Sequence, residues 1–127
     1  MSGQIDITKL NTPPEPHELD TALYFAKLGY DIAFIKPSNI PNIHTPDISM
    51  NGIEWEIKCP QGKSRHTIEQ NFRIAVTQSH NLIFDLRRSN IPEIQSLQQL
   101  QKLFEAKKYV KRLLIIKKSG ELLSLFR

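Results

Sequence analysis

The sequence predicts an α/β or α+β fold, with a mixed central β-sheet flanked by helices. Three observations lead there. Stretches with helical apolar spacing alternate with short β-branched or aromatic runs, in the order helix, strand, hairpin, helix, strand, helix, hairpin. Two strand pairs are joined by tight turns, Asn51-Gly52 and Ser119-Gly120. The length, 127 residues, suits one domain with a real core. That domain is expected over residues 17–127. Residues 1–16 read as a lead-in or linker, because Thr12-Pro13-Pro14-Glu15-Pro16 cannot continue a helix or a central strand.

The first helix runs from about His17 to Leu28, with Pro16 at its first turn and Gly29 at its end. Leu19, Ala22, Leu23 and Ala26 form its apolar stripe, and Glu18 lies at the border of that face. Tyr30 to Lys36 reads as a strand, and Pro37 to His44 as a loop. Thr45 to Lys58 then forms a hairpin about Asn51-Gly52, followed by a basic turn from Cys59 to Arg65. His66 to Ser79 is a second helix. Ile68, Phe72, Ala75, Val76 and Ser79 lie on one side of it, and His66, Gln70, Arg73 and Thr77 on the other. Asn81 to Leu86 is a buried strand ending before Arg87-Arg88. Glu93 to Lys108 is a third helix with Ile94, Leu97, Leu100 and Phe104 inward, and Lys111 to Lys118 pairs with Glu121 to Phe126.

Several classes are excluded or disfavoured. No apolar run is long enough for a membrane-spanning helix. The first residues lack the basic and apolar regions of a signal peptide. Cys59 is the single cysteine, which rules out an internal disulfide and a cysteine-rich zinc site and suits a reducing compartment. Charge is unevenly spread. Residues 1–58 hold four Lys/Arg against eight Asp/Glu, and residues 59–127 hold thirteen against five. Acids gather around the central hairpin, and the basic remainder suits a polyanion such as nucleic acid.

Asp47 begins the first hairpin strand, and Glu56 and Lys58 end the second. Residues two apart share a sheet face, so Glu56 and Lys58 project together and Asp47 folds back beside them. Two carboxylates and an amine on one face are a poor structural choice, and a surface ion cluster is the plain alternative. They suit Mg²⁺, or Mn²⁺ in its place, which takes hard oxygen ligands from Asp47, Glu56 and the Ile57 carbonyl, with Glu18 binding directly or through water. Zn²⁺ fits less well without His or Cys ligands. Lys58 then orients or deprotonates a water, or stabilises charge developing on phosphate. Lys63, Arg65, His66, Gln70, Thr77, Arg87 and Arg88 are expected contacts to nucleic acid. His66 also reads as a helix-start residue, Cys59 as a strand-end filler, Trp55 as core on the opposite face, and Asp85 as a partner of the two arginines.

Glu18, Pro46-Asp47 and Glu56-x-Lys58 in this element order resemble the PD-(D/E)XK nucleases and their restriction-endonuclease-like core. A longer string adds Thr45, Trp55, Pro60-x-Gly62, Ile68-Glu69-x-Asn71, Ala75, Gln78-Ser79, Asn81 and Asp85-Leu86-Arg87-Arg88. It is similar to the C-terminal tRNase toxin domain of CdiA-type contact-dependent growth inhibition proteins. The likeness covers about Glu18 to Arg88, and residues 89–127 match only in outline. It implies a metal-dependent endonuclease that cleaves tRNA in the cytoplasm of a target bacterium. Delivery as the tail of a secreted toxin and neutralisation by a cognate immunity protein are also implied. Asp47 and Glu56 would be its metal ligands, Lys58 its catalytic lysine and Glu18 its helix-borne acid, with Arg73 and Gln78 on the substrate-facing helix. A DNA-cleaving enzyme, a non-catalytic nucleic-acid-binding module of the same fold, and an interaction protein with an acidic face are the alternatives.

Overall fold

The structure, a computed structural model, describes residues 2–127. In chain order its elements are β1 (Ile5–Asp6), α1 (Pro16–Lys27), β2 (Ile32–Phe34), β3 (Ile48–Met50) and β4 (Ile53–Lys58), then α2 (Thr67–Ala75), β5 (Asn81–Asp85), α3 (Glu93–Ala106), β6 (Arg112–Ile116) and β7 (Leu122–Phe126). The seven strands form one sheet in which spatial order equals sequence order. Each helix carries the chain between parallel neighbours: α1 between β1 and β2, α2 between β4 and β5, and α3 between β5 and β6. The remaining neighbours, β2–β3, β3–β4 and β6–β7, are antiparallel. This is the mixed sheet with flanking helices that the element order predicts.

Side-chain alternation along the strands builds two cores. Phe25 and Ala22 of α1 pack on Ile32, Ile48, Trp55, Ile57 and Ile83. On the other face Ile68 and Phe72 of α2 and Leu100 of α3 pack on Leu82, Phe84 and Leu113. Adjacent residues of β5 thus serve opposite layers, and the strand reads as continuously apolar because both of its faces are covered. The β3–β4 turn is tight, with Asn51 at φ 56° and Gly52 at φ 73°. Both angles are left-handed, the conformation that Asn-Gly tolerates and a two-residue hairpin needs.

Four details differ from the sequence reading. Ile5–Asp6, within the segment read as a lead-in, pair with β2 as an edge strand. Two residues are too few to show alternation. The buried stripe of α1 is Thr21, Ala22, Phe25 and Ala26, and Leu23 is largely exposed. Thr21 takes the inward place because its hydroxyl finds a buried partner, described below. Ile94 is 70% exposed, since it lies in the first turn of α3, while Ser96 takes the buried position. Finally, α2 stops at Ala75, and Val76 to Gln78 continue as a turn.

Candidate active site

Pro46 shapes the site. The register pairs Ile48 with Trp55, so a straight ladder would set residue 46 opposite Ile57. Proline has no N–H to give the Ile57 carbonyl. The strand bends there instead: the Asp47 N–H donates to the Trp55 carbonyl at 2.9 Å. Asp47 Oδ2 then accepts the Ile57 N–H at 2.8 Å. Asp47 is thereby locked beside the end of β4.

Glu56 and Lys58 share one face of β4, opposite Trp55 and Ile57. Lys58 Nζ lies 3.3 Å from Glu56 Oε2, with the Glu56 side chain only 3% exposed. Glu56 Oε1 is buried and has no hydrogen-bond partner among the described residues. Such an atom normally has one, so it marks a place where a ligand belongs.

Burial, followed by the Asp47 charge, pushes the Glu56 carboxyl up to about 8. Asp47 is also raised by burial, against the lowering effects of the Ile57 N–H and Lys58. Burial and the Asp47 charge together favour the protonated form of Glu56. Glu18, in the first turn of α1, is pushed up to about 7 by burial, then by Asp47 and Glu15. Its field also includes Lys58, which places it at the end of the sheet where β3 begins and β4 ends. Glu18 and Asp47 open into a cavity of about 300 Å³. Its walls are Leu10 to Glu15, which belong to the segment read as a lead-in, and Phe34 to Pro37 with Asn39. Lys36 in this wall is a cation that no motif or period singled out. Among the described residues no three His, Cys, Asp or Glu side chains gather as a ready metal cage. Asp47 and Glu56 are the paired acids, and Glu18 stands apart from them.

The expected nucleic-acid contacts divide into groups. Lys63, Arg65 and His66 are exposed on the loop that leaves the Lys58 end of β4. Asn90 Nδ2 donates to the Gln61 carbonyl and Gln99 Nε2 to the Arg65 carbonyl, which tie this loop to the chain around α3. Gln70, Arg73 and Thr77 line the outer side of α2 and its following turn, as the helical period predicts. Arg73 pairs with Glu69 at 2.8 Å, and the Thr77 hydroxyl donates to the Ile74 carbonyl. Gln78 is half-buried, at the far end of α2.

Arg87 and Arg88 are engaged elsewhere. Arg87 makes two bonds to Asp85, Nε to Oδ1 at 2.9 Å and a terminal nitrogen to Oδ2 at 2.7 Å. Its guanidinium also lies over the Tyr24 ring of α1. Arg88 bonds Asp20 at 2.9 Å. Both contacts are to α1, across the sheet from Glu56 and Lys58. Asp85 therefore pairs with an arginine as expected, and that pairing takes Arg87 away from a phosphate. Asp85 also accepts from the buried Thr21 hydroxyl at 2.7 Å, so a three-residue clamp holds α1 to the end of β5. Arg87 holds the Asp85 carboxyl below its usual range despite burial. Thr21 left no trace in the sequence, where a lone threonine in an amphipathic helix reads as border. Burial pushes the neighbouring Cys59 thiol up to about 11, which makes it a poor nucleophile.

The chain and its fold have counterparts among known proteins. Residues 44–122 match the family model of the contact-dependent growth inhibition CdiA C-terminal domain. The stretch spans more than half of the chain and includes Asp47, Glu56 and Lys58, so the chain belongs to that family of bacterial toxin domains. Members of the family are delivered as part of a secreted toxin. Among solved structures it is similar to a chain of the "CdiA-CT/CdiI toxin and immunity complex from Burkholderia pseudomallei". The TM-score is 0.71 with 18% identity, covering 98% of this chain and 100% of that one. At that identity the likeness is one of fold. No curated protein matches the chain. Among the described residues no helix is long and apolar enough to cross a membrane.

Proposed function

We propose that this toxin domain is a metal-dependent endonuclease of the PD-(D/E)XK type that hydrolyses phosphodiester bonds in RNA, with tRNA the favoured substrate. The observation that carries the reading is the Asp47–Glu56 pair. Burial raises both carboxyls, the Asp47 charge raises Glu56 further, and one oxygen, Glu56 Oε1, is left without a partner among the described residues. A stability-driven design would avoid this arrangement. The oxygens of Asp47 and Glu56, with the Ile57 carbonyl between Glu56 and Lys58, would form a hard donor set of the kind Mg²⁺ or Mn²⁺ takes. Glu18 serves through an intervening water. When bound, such a cation polarises the scissile phosphate and acidifies a water.

The chain's own groups do the rest. Asp47 is held rigid by the Ile57 N–H, so its oxygens need no reorganisation. Glu56 would have to lose its proton to hold such a cation. Lys58 Nζ, 3.3 Å from Glu56 Oε2, is placed to orient the attacking water or to neutralise charge building on the phosphoryl oxygens. Lys63, Arg65 and His66 hold the substrate backbone as it enters, and Gln70, Arg73 and Thr77 extend that track along α2. The domain acts in the cytoplasm of a target bacterium, and a cognate immunity protein neutralises it. The fold likeness to a chain from a toxin and immunity complex supports that partner.

Total tRNA and plasmid DNA, each incubated with the protein and Mg²⁺ and read on one gel, test the reading. Discrete tRNA fragments are expected, absent with EDTA and absent for Asp47→Ala, Glu56→Ala and Lys58→Ala. Undiminished cleavage by Lys58→Ala would reject the mechanism, and scission of plasmid alone would move the substrate to DNA.

A further inference from the structure

A second cleft opens on the same sheet face as Glu56 and Lys58, toward the Asn51-Gly52 turn. It measures about 720 Å³. Ser49 and Glu54, which face each other across β3 and β4, form its floor. Glu54 lies two residues before Glu56 on one strand, so the floor is one side-chain row, about 6–7 Å, from the paired carboxyls. The walls are His44 and Pro46 on one side and Gln78, His80 and Tyr109 on the other. We infer that this cleft is a subsite for an unpaired nucleobase of the nucleic acid cut at the neighbouring carboxylates. The inference rests on the nuclease reading and deepens it.

Three features give the cleft this chemistry. The His80 and Tyr109 rings stack at 3.8 Å between centroids and 28° between planes. His80 Nδ1 lies 2.9 Å from the Tyr109 carbonyl, which fixes the pair. Tyr109 remains 50% exposed, so it offers open ring surface on which a base can continue the stack. Gln78 adds an amide whose oxygen is shielded from water and has no partner among the described residues. Turning that amide presents its other end to a base edge. Glu54 puts a carboxylate in the floor, which repels a phosphate but accepts from an exocyclic amine or ring N–H. Arg112 also lines the cleft, where its guanidinium donates to the Asn81 side-chain oxygen at 3.1 Å. The stacked rings, with the Gln78 amide and the Glu54 carboxylate, point to a base here and the phosphate one row further on, beside Lys58.

Fluorescence anisotropy of labelled 12-nucleotide RNA and DNA of one mixed sequence tests this, in a Glu56→Gln background. That substitution copies the protonated carboxyl and stops cleavage. Adding Tyr109→Ala is expected to weaken binding about tenfold or more, the loss typical of removing one stacked base. Tyr109→Phe, which keeps the ring, should bind as the background does. A sugar-phosphate 12-mer without bases should bind both proteins equally. Tighter binding of RNA or of DNA shows which polymer supplies the base. Full retention of base-bearing oligonucleotide binding by Tyr109→Ala would overturn the subsite and leave the nuclease reading intact. Failure of the background to bind either polymer would overturn both.

Discussion

Glu56 holds its proton because it is buried against Asp47, and that has a thermodynamic consequence. The ordinary carboxyl value is 4.5 and the folded value about 8. Between them the folded state keeps a proton that the unfolded chain releases, so stability falls as pH rises through that window. Glu18, at about 7, adds a slope of the same sign. Without metal, the melting temperature should therefore drop between pH 5 and pH 8. Glu56→Gln should flatten that slope and raise the pH 8 value by about 5 °C or more, read by calorimetry in EDTA. Mg²⁺ should stabilise the protein at pH 8 more than at pH 5, because binding there would displace the proton that Glu56 holds at the lower pH. Equal stabilisation at both values would argue against a cation at this pair. Asp85 has the opposite sign. Its lowered pKa gives stability that is present above 3.8 and is lost as pH falls through the folded value.

At the scale of elements, α1 is tied to the sheet at both ends. The Thr21–Asp85–Arg87 clamp lies one turn from Glu18 and sets where that acid stands. Arg87→Ala leaves a buried carboxylate unpaired and should cost roughly 3 kcal/mol in urea denaturation. Arg88→Ala, which breaks an exposed pair with Asp20, should cost about 1 kcal/mol or less. If Arg87 instead served the substrate backbone, its loss would weaken nucleic-acid binding and leave stability unchanged. The other end depends on Gly3, whose N–H donates to the Ala26 carbonyl at 2.7 Å. A Cβ at Gly3 would lie 1.9 Å from the Tyr30 carbonyl oxygen, so backbone would have to move. Gly3→Ala should release β1 and expose the Ile32 amide, which now donates to Gln4. Faster hydrogen exchange at Ile32, with exchange in β5 unchanged, is the expected signature.

Across the whole molecule, charge is separated by function. The acids lie in the half with the paired carboxyls, and the later half carries thirteen Lys/Arg against five Asp/Glu. Lys63, Arg65 and His66 bring that positive field to the end of the sheet where Lys58 stands. Binding of RNA to Glu56→Gln should weaken steeply with salt, log K falling linearly with log salt concentration. Lys63→Ala and Arg65→Ala should each make that slope shallower by about 1. A salt-independent affinity would remove the backbone-holding role from this loop.

By itself the sequence determined the element order, the Asn51-Gly52 hairpin, the face shared by Glu56 and Lys58, and the acid-then-base charge division. All four follow from local rules: turn chemistry, side-chain period and composition act within a few residues. Tertiary structure alone decided the rest. It spent Arg87 and Arg88 on α1, because a buried Asp85 must be neutralised by whichever cation is nearest. It turned Thr21 inward to the same carboxylate and made Leu10 to Glu15 a wall of the cavity. It set His80 against Tyr109, 29 residues away. These are pairings between distant parts of the chain, chosen by which groups meet when two layers close on a sheet, and no local period encodes them.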